Sequence, residues 1–205
     1  MMSDEEIRAK IREVKQSFRL MMDGAVAQSM RDKGVNYHLN WGATLPRLQQ
    51  KAAELGKDYH LAIALWTENV RECKILATMV MPADEILPEV VDIWMEQTET
   101  VEIAEQAAMN LYQYLPYAPM KAYQWIASDK ELYQLCGFHV LSRLFMNGQE
   151  PNERGINEFL DQAHAALASK NMSVRKAALN SINRFGELEL VYQRLADSVL
   201  RLVSK

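Results

Sequence analysis

The fold this sequence predicts is all-α, a superhelical solenoid of stacked antiparallel helix pairs, and three observations predict it. Helical periodicity covers nearly the whole chain, and alternating β-branched runs bounded by turn residues do not appear. Short connectors, several marked by Pro82, Pro116, Pro119, Gly148 and Pro151, separate the periodic segments, and short connections make successive helices antiparallel neighbours. The segments that open Val70-Arg71 and Val174-Arg175 look alike and lie three repeats of roughly 35 residues apart.

Taken in order, Ser3 with Glu6 forms a capping-box pattern, and the helical period then runs through Met21. A short helix follows over 25–32 and ends at Gly34. The stretch 35–44 (VNYHLNWGAT) is irregular, aromatic and turn-rich. Thr44 and Pro46 mark the start of a helix to Leu55, stopped by Gly56. Helix pairs are then expected at 58–66 with 69–81, 86–97 with 100–115, 117–127 with 130–147, and 153–169 with 173–186. A capping helix covers Leu188 to Val203. The whole of 1–205 reads as one helical-repeat domain, with 1–56 as amino-terminal helices plus the irregular segment.

Pairs of this kind stack because each has an apolar stripe too wide to bury alone. Stacking makes one continuous core and brings the polar stripes of the second helices into register. That is the HEAT/ARM-like arrangement. The small residues of Cys73–Ala77 and Ala177–Ser181 fit positions where helices approach closely. The twelve methionines read as core filling.

Bulk properties exclude several classes. Net charge is −4, so the chain lacks the overall basic balance of a typical nucleic-acid binder, and any affinity for DNA has to come from local clustering. The two cysteines, Cys73 and Cys136, read as reduced and buried, which points to a reducing, cytoplasmic setting. The amino terminus is acidic where a signal peptide is basic, and no apolar run is long enough to span a bilayer, so no membrane partner is expected. His38, His60, His139 and His164 show no metal-ligand spacing, and there is neither a glycine-rich phosphate loop nor a GxSxG elbow. No metal and no cofactor is expected.

The candidate working residues are polar positions at helical spacing on the second helices. They are Arg71, Lys74 and Thr78; Glu102, Glu105, Gln106 and Gln113; Gln134, His139 and Arg143; Lys176, Asn180, Asn183 and Arg184. Aligned, they form a mixed groove with basic ends and an acidic middle. Glu102 and Glu105 share a helix face, and a carboxylate there can stabilise a developing cation. Tyr37 and Trp41, in the turn-rich segment, are candidates to stack on bases.

The chain also resembles a known family. The block from Tyr37 through Trp41, Gly42 and Pro46 to Leu48 is similar to its early segment. Leu65-Trp66 with Glu72 to Ala77, Asp92 to Trp94 with Val101 to Glu105, and Val174-Arg175-Lys176-Ala177 are similar to its later helix pairs. The family is that of the DNA alkylation repair glycosylases with HEAT-like repeats, and the resemblance spans roughly 10–187. It implies a protein that holds double-stranded DNA along a concave face and excises alkylated purines. The family's aspartate falls at Glu105, which becomes the candidate catalytic residue. A tryptophan four positions earlier falls at Val101, an arginine pair at Gln134 and Leu135, and a later tryptophan at Asn180. The carboxylate is thus kept while the family's aromatic walls and basic partner are lost, and the DNA contacts are expected instead from Arg71, Lys74, Arg143, Lys176, Asn180 and Arg184 on the second helices and from Tyr37 and Trp41. The alternative is a non-catalytic solenoid that binds a protein or peptide partner, favoured by the net charge and the acidic middle of the groove.

Overall fold

The computed structural model describes residues 3–35 and 37–203. Asn36, within the irregular aromatic stretch, lies outside the described residues. Among those described, there are twelve α-helices and no strand, apart from one isolated parallel bridge between Leu39 and Val70. The helices are α1 (Asp4–Met21), α2 (Gly24–Asp32), α3 (Leu45–Leu55), α4 (Tyr59–Thr67), α5 (Arg71–Val80), α6 (Pro88–Glu96), α7 (Val101–Asn110), α8 (Ala118–Ile126), α9 (Glu131–Met146), α10 (Glu153–Leu167), α11 (Met172–Gly186) and α12 (Leu190–Val203). None of them is long and apolar enough to cross a membrane.

Local chemistry explains most boundaries. The Ser3 hydroxyl accepts from Glu6 N–H at 3.3 Å while Ser3 N–H donates to the Glu6 carboxylate at 2.7 Å, which is the reciprocal capping box. Asp23, Asp58, Thr100, Asn152 and Asn171 accept from free N–H groups at the starts of α2, α4, α7, α10 and α11. The helix expected over 100–115 is shorter. It ends at Asn110 with Leu111 as its cap, and a 3-10 turn covers Tyr112–Tyr114. Tyr112 is driven into the core against Trp125, their ring centroids 5.1 Å apart, and Pro116 has no N–H with which to continue the ladder.

The chain divides into two compact units, the first ending at Trp94 and the second beginning at Met95. In the amino-terminal unit α4 and α5 form an antiparallel pair, α3 packs on α5, and α1 packs on α4 through buried Val14 and Phe18. Trp66 and Trp94 stack face to face, their centroids 4.2 Å apart and their planes within 4°. In the carboxy-terminal unit α9 packs between α7 and α11, so the three second helices lie side by side. α8 packs on α9, and α10 packs on α11 and α12. A cluster of Phe138, Phe145, Phe159, Phe185 and Tyr192 joins α9 to α12. α8 and α9 approach so closely that a Cβ on Gly137 would sit 2.8 Å from the Ala122 carbonyl oxygen.

One packing expectation is corrected. Met81 and Met95 fill the core, but Met22, Met109, Met120, Met146 and Met172 are exposed. They fall on the solvent stripes of their helices or, for Met22, just past the end of α1. Unbranched methionine fits either environment, so composition alone did not separate the two.

Candidate nucleic-acid interface

The side-by-side packing of α7, α9 and α11 brings polar residues from three repeats onto one surface of the carboxy-terminal unit. Glu105 on α7 meets His139 on α9, with Oε1 and Nε2 3.5 Å apart. The Glu105 side chain is 42% exposed, so its carboxylate stays available to a ligand. One turn further along α9, Arg143 Nε donates to Gln113 Oε1 at 3.3 Å, and its side chain remains half-buried. On α11, Asn180 Nδ2 donates to Ser142 Oγ at 2.8 Å, tying α11 to α9 at the same level. Lys176, one turn before Asn180, is exposed. Arg184, one turn after it, pairs with Glu187 at 2.7 Å.

This surface carries a carboxylate, an imidazole, a guanidinium and an ammonium on rigid helices. Such a set can hold phosphates through its cations and can stabilise positive charge near Glu105. Aromatic stacking groups are sparse on it. α7 contains no aromatic residue, and Phe138, Phe145 and Phe185 are buried. Among the described residues, no group of three or more His, Cys, Asp or Glu side chains is placed to hold a metal ion.

The amino-terminal candidates are arranged differently from expectation. Arg71, expected on the solvent stripe of α5, is only 2% exposed. Its Nη1 donates to the Ala43 carbonyl at 2.9 Å and to Glu72 Oε1 at 3.0 Å. Glu72 is fully buried and accepts from the backbone N–H groups of Trp41 and Ala43, both at 3.2 Å. Arg71 N–H donates to the Leu39 carbonyl at 3.0 Å. The Arg71–Glu72 pair therefore pins the irregular aromatic segment to the start of α5 and has no surface left for DNA. Thr78, Gln106 and Gln113, also expected on solvent stripes, are buried as well. Thr78 turns its hydroxyl back to the Ile75 carbonyl, as a threonine inside a helix can.

Lys74 is half-buried, with its ammonium 4.5 Å over the Trp66 ring. Tyr37 and Trp41 are half-buried. The Trp41 backbone is fixed from two sides, because its carbonyl accepts from Asp23 N–H at 2.9 Å while its own N–H meets Glu72.

Two contributors escaped the sequence reading. Glu72 was visible only as part of a family-like motif, and no periodicity marks a residue as a clamp for a remote loop. Ser142 looks like a buried helix serine until Asn180 reaches it. His139 was a candidate from its helical spacing, but its pairing with Glu105 was not drawn, although it sits one repeat length after Glu105, the offset that places residues of successive second helices abreast.

Comparison with known proteins agrees with this architecture. The family described as DNA alkylation repair enzyme matches residues 14–187. A solved structure described as a new family of proteins related to the HEAT-like repeat DNA glycosylases with affinity for branched DNA structures is similar to this chain. The two align with a TM-score of 0.83 at 16% identity, covering 94% of this chain and 82% of that one. At that identity the likeness carries the fold alone. A comparison with curated proteins gives no match. A family match over most of the length, on a scaffold of paired helices whose second members line up side by side, makes the chain a member of the DNA alkylation repair enzyme family.

Proposed function

We propose that this protein binds DNA across the α7–α9–α11 surface and that Glu105 gives it a weak glycosylase activity on alkylated purines. The observation that carries this reading is the Glu105–His139 pair, held 3.5 Å apart on adjacent repeats, with Arg143 on α9 and Lys176 on the neighbouring α11. Phosphates fit the cations. An alkylated purine leaves readily because it already bears positive charge, so the sugar needs stabilisation as it becomes oxocarbenium-like. The Glu105 carboxylate supplies that. With few aromatic groups to hold an extruded base, positioning is poor and turnover is slow. His139 acts as a positioning residue that fixes the carboxylate. The structural relative is described as having affinity for branched DNA, and the same preference is proposed here.

The test is a titration of labelled linear duplex and of a four-way junction at about 50 mM salt, where phosphate contacts are strongest. Binding to both, tighter to the junction, is expected. Release of methylated purine from alkylated DNA is then compared with the Glu105→Gln variant, which should lose roughly tenfold or more. Unchanged release in that variant rejects the role of Glu105.

A second reading has its own observation. The exposed stripes of these helices also carry Met109, Met146, Met172 and Leu179, adaptable apolar groups suited to a protein or peptide partner. Absence of DNA binding at about 50 mM salt favours that reading.

A further inference from the structure

The strongest unassigned charge pattern lies outside the surface described above, on α1. Arg8, Arg12, Lys15 and Arg19 follow one another at four-, three- and four-residue steps. At about 100° per residue they fall within a sector of about 60°, one quarter-turn from the buried Val14 and Phe18. The stripe runs about 16 Å along the helix. Glu13 lies about 130° away around the helix and does not interrupt it. Asp4, Glu5 and Glu6, in the first turn, put negative charge near its end, and Glu68 from outside the helix meets it at Lys15.

The partners of these cations differ in a telling way. Lys10, on the other flank of α1, pairs with Asp58 at 3.1 Å, and Lys15 pairs with Glu68 at 2.7 Å. Arg8, Arg12 and Arg19 are exposed, and none of the three has a hydrogen bond or ion pair with the described residues. A cleft of about 760 Å³ runs beside Arg8 and Arg12, lined also by Asp4, Glu5, Ile11, Lys15, Gln16 and Glu68, while Arg19 lies outside it. Three exposed guanidinium groups without acceptors among the described residues, on a protein of net charge −4, leave about fifteen donors for a polyanion.

We infer that the Arg8–Arg12–Arg19 flank of α1 is a second DNA-binding surface, one that tracks the phosphates of a duplex. This rests on the DNA-binding reading above and adds a contact site to it. The stripe matches the rise of about five base pairs at about 3.4 Å each. Arginine suits the task because its fork meets two phosphate oxygens at once. Contacts of this kind carry no base preference, so they add affinity and orientation without sequence specificity.

The experiment is a salt series of duplex binding by the full chain. It compares the wild type with the triple variant Arg8→Gln, Arg12→Gln, Arg19→Gln, and with a control that removes equal charge elsewhere, Lys170→Gln, Arg194→Gln, Arg201→Gln. Each phosphate contact contributes about 0.9 to the slope of log K against log salt. The α1 variant should lower that slope by about 2.7 and weaken binding at least about tenfold at about 50 mM salt, while the control stays near wild type. A lysine triple at the same positions should restore most of the slope, which also guards against a folding artefact. An α1 variant that matches wild type, or a control that falls as far, overturns the inference. In that case Arg143→Gln with Lys176→Gln, measured alongside, still tests the α7–α9–α11 surface. A wild-type protein that binds no duplex overturns both.

Discussion

Arg71 donates to the carbonyl of Ala43 over 2.9 Å, reaching across 28 residues of sequence from inside the amino-terminal unit. The partner that neutralises it, Glu72, is itself buried and holds the same loop by two backbone N–H groups. Removing one member of a buried pair strands the other charge, which costs about 3–5 kcal/mol. Glu72→Ala should therefore lower the unfolding free energy read from urea curves by that amount, and Glu72→Gln, which keeps one acceptor, by less. A loss under about 1 kcal/mol for the alanine variant would show that the clamp is not what orders residues 37–44.

Gly42 sits in the same clamped loop with φ of 72°. A Cβ there would lie 2.1 Å from the Asp23 carbonyl oxygen. Gly42→Ala should destabilise by at least about 2 kcal/mol, combining a strained backbone with a clash that no side-chain rotation relieves. Gly56→Ala, at φ of 70° but with open space around it, should cost only the backbone part, about 1 kcal/mol. Paired denaturation curves for the two variants check the difference.

Asp58 caps α4 and pairs with Lys10. Burial alone would raise its carboxyl, but the Leu61 N–H and the Lys10 ammonium outweigh it and hold the group below its usual value of 3.8. A depressed folded value means that the stabilisation is fully present above that pH and is lost as pH falls through the folded value. Stability should thus decline in acid below about pH 4. Asp58→Asn keeps a good cap and loses the charge, so it should flatten that decline while costing no more than about 1 kcal/mol at neutral pH. Thermal melts between acid and neutral pH measure both effects.

Cys73 and Cys136 are both free and buried. Burial pushes the Cys73 thiol up to about 12 and raises Cys136 as well. The reactive thiolate is therefore scarce at neutral pH. A thiol reagent should label neither residue in the native protein and should label both in denaturant. Rapid native labelling of Cys73 would mean that α5 opens locally far more often than its packing implies.

The helices were legible because their signals are local. Ser3 with Glu6, Pro46 with Gly56, and the Val70 and Val174 openings each mark a boundary within a few residues, and the apolar period does the rest. The side chains of the second helices were harder to read. A polar residue at helical spacing is assigned to solvent by default, yet Arg71 turns inward onto the irregular segment at Ala43, and Thr78 is buried on a helix against which α3 also packs. On α11, which packs on α9, α10 and α12, Lys176 and Asn180 still stay at the surface. Local sequence does not encode which faces of a helix its neighbours cover. For the same reason the α1 stripe drew no notice, since α1 precedes the first recognisable repeat.

The stack of Trp66 on Trp94 also makes the amino-terminal unit its own optical probe. Two nearly parallel indoles whose centroids lie 4.2 Å apart couple their electronic transitions, giving a paired band in circular dichroism that vanishes once the rings part. Trp125 is the one tryptophan of the carboxy-terminal unit. With Trp125→Phe, the remaining emission and the coupled band report on the amino-terminal unit alone. Melting of each half of the chain can then be followed by colour, without a label.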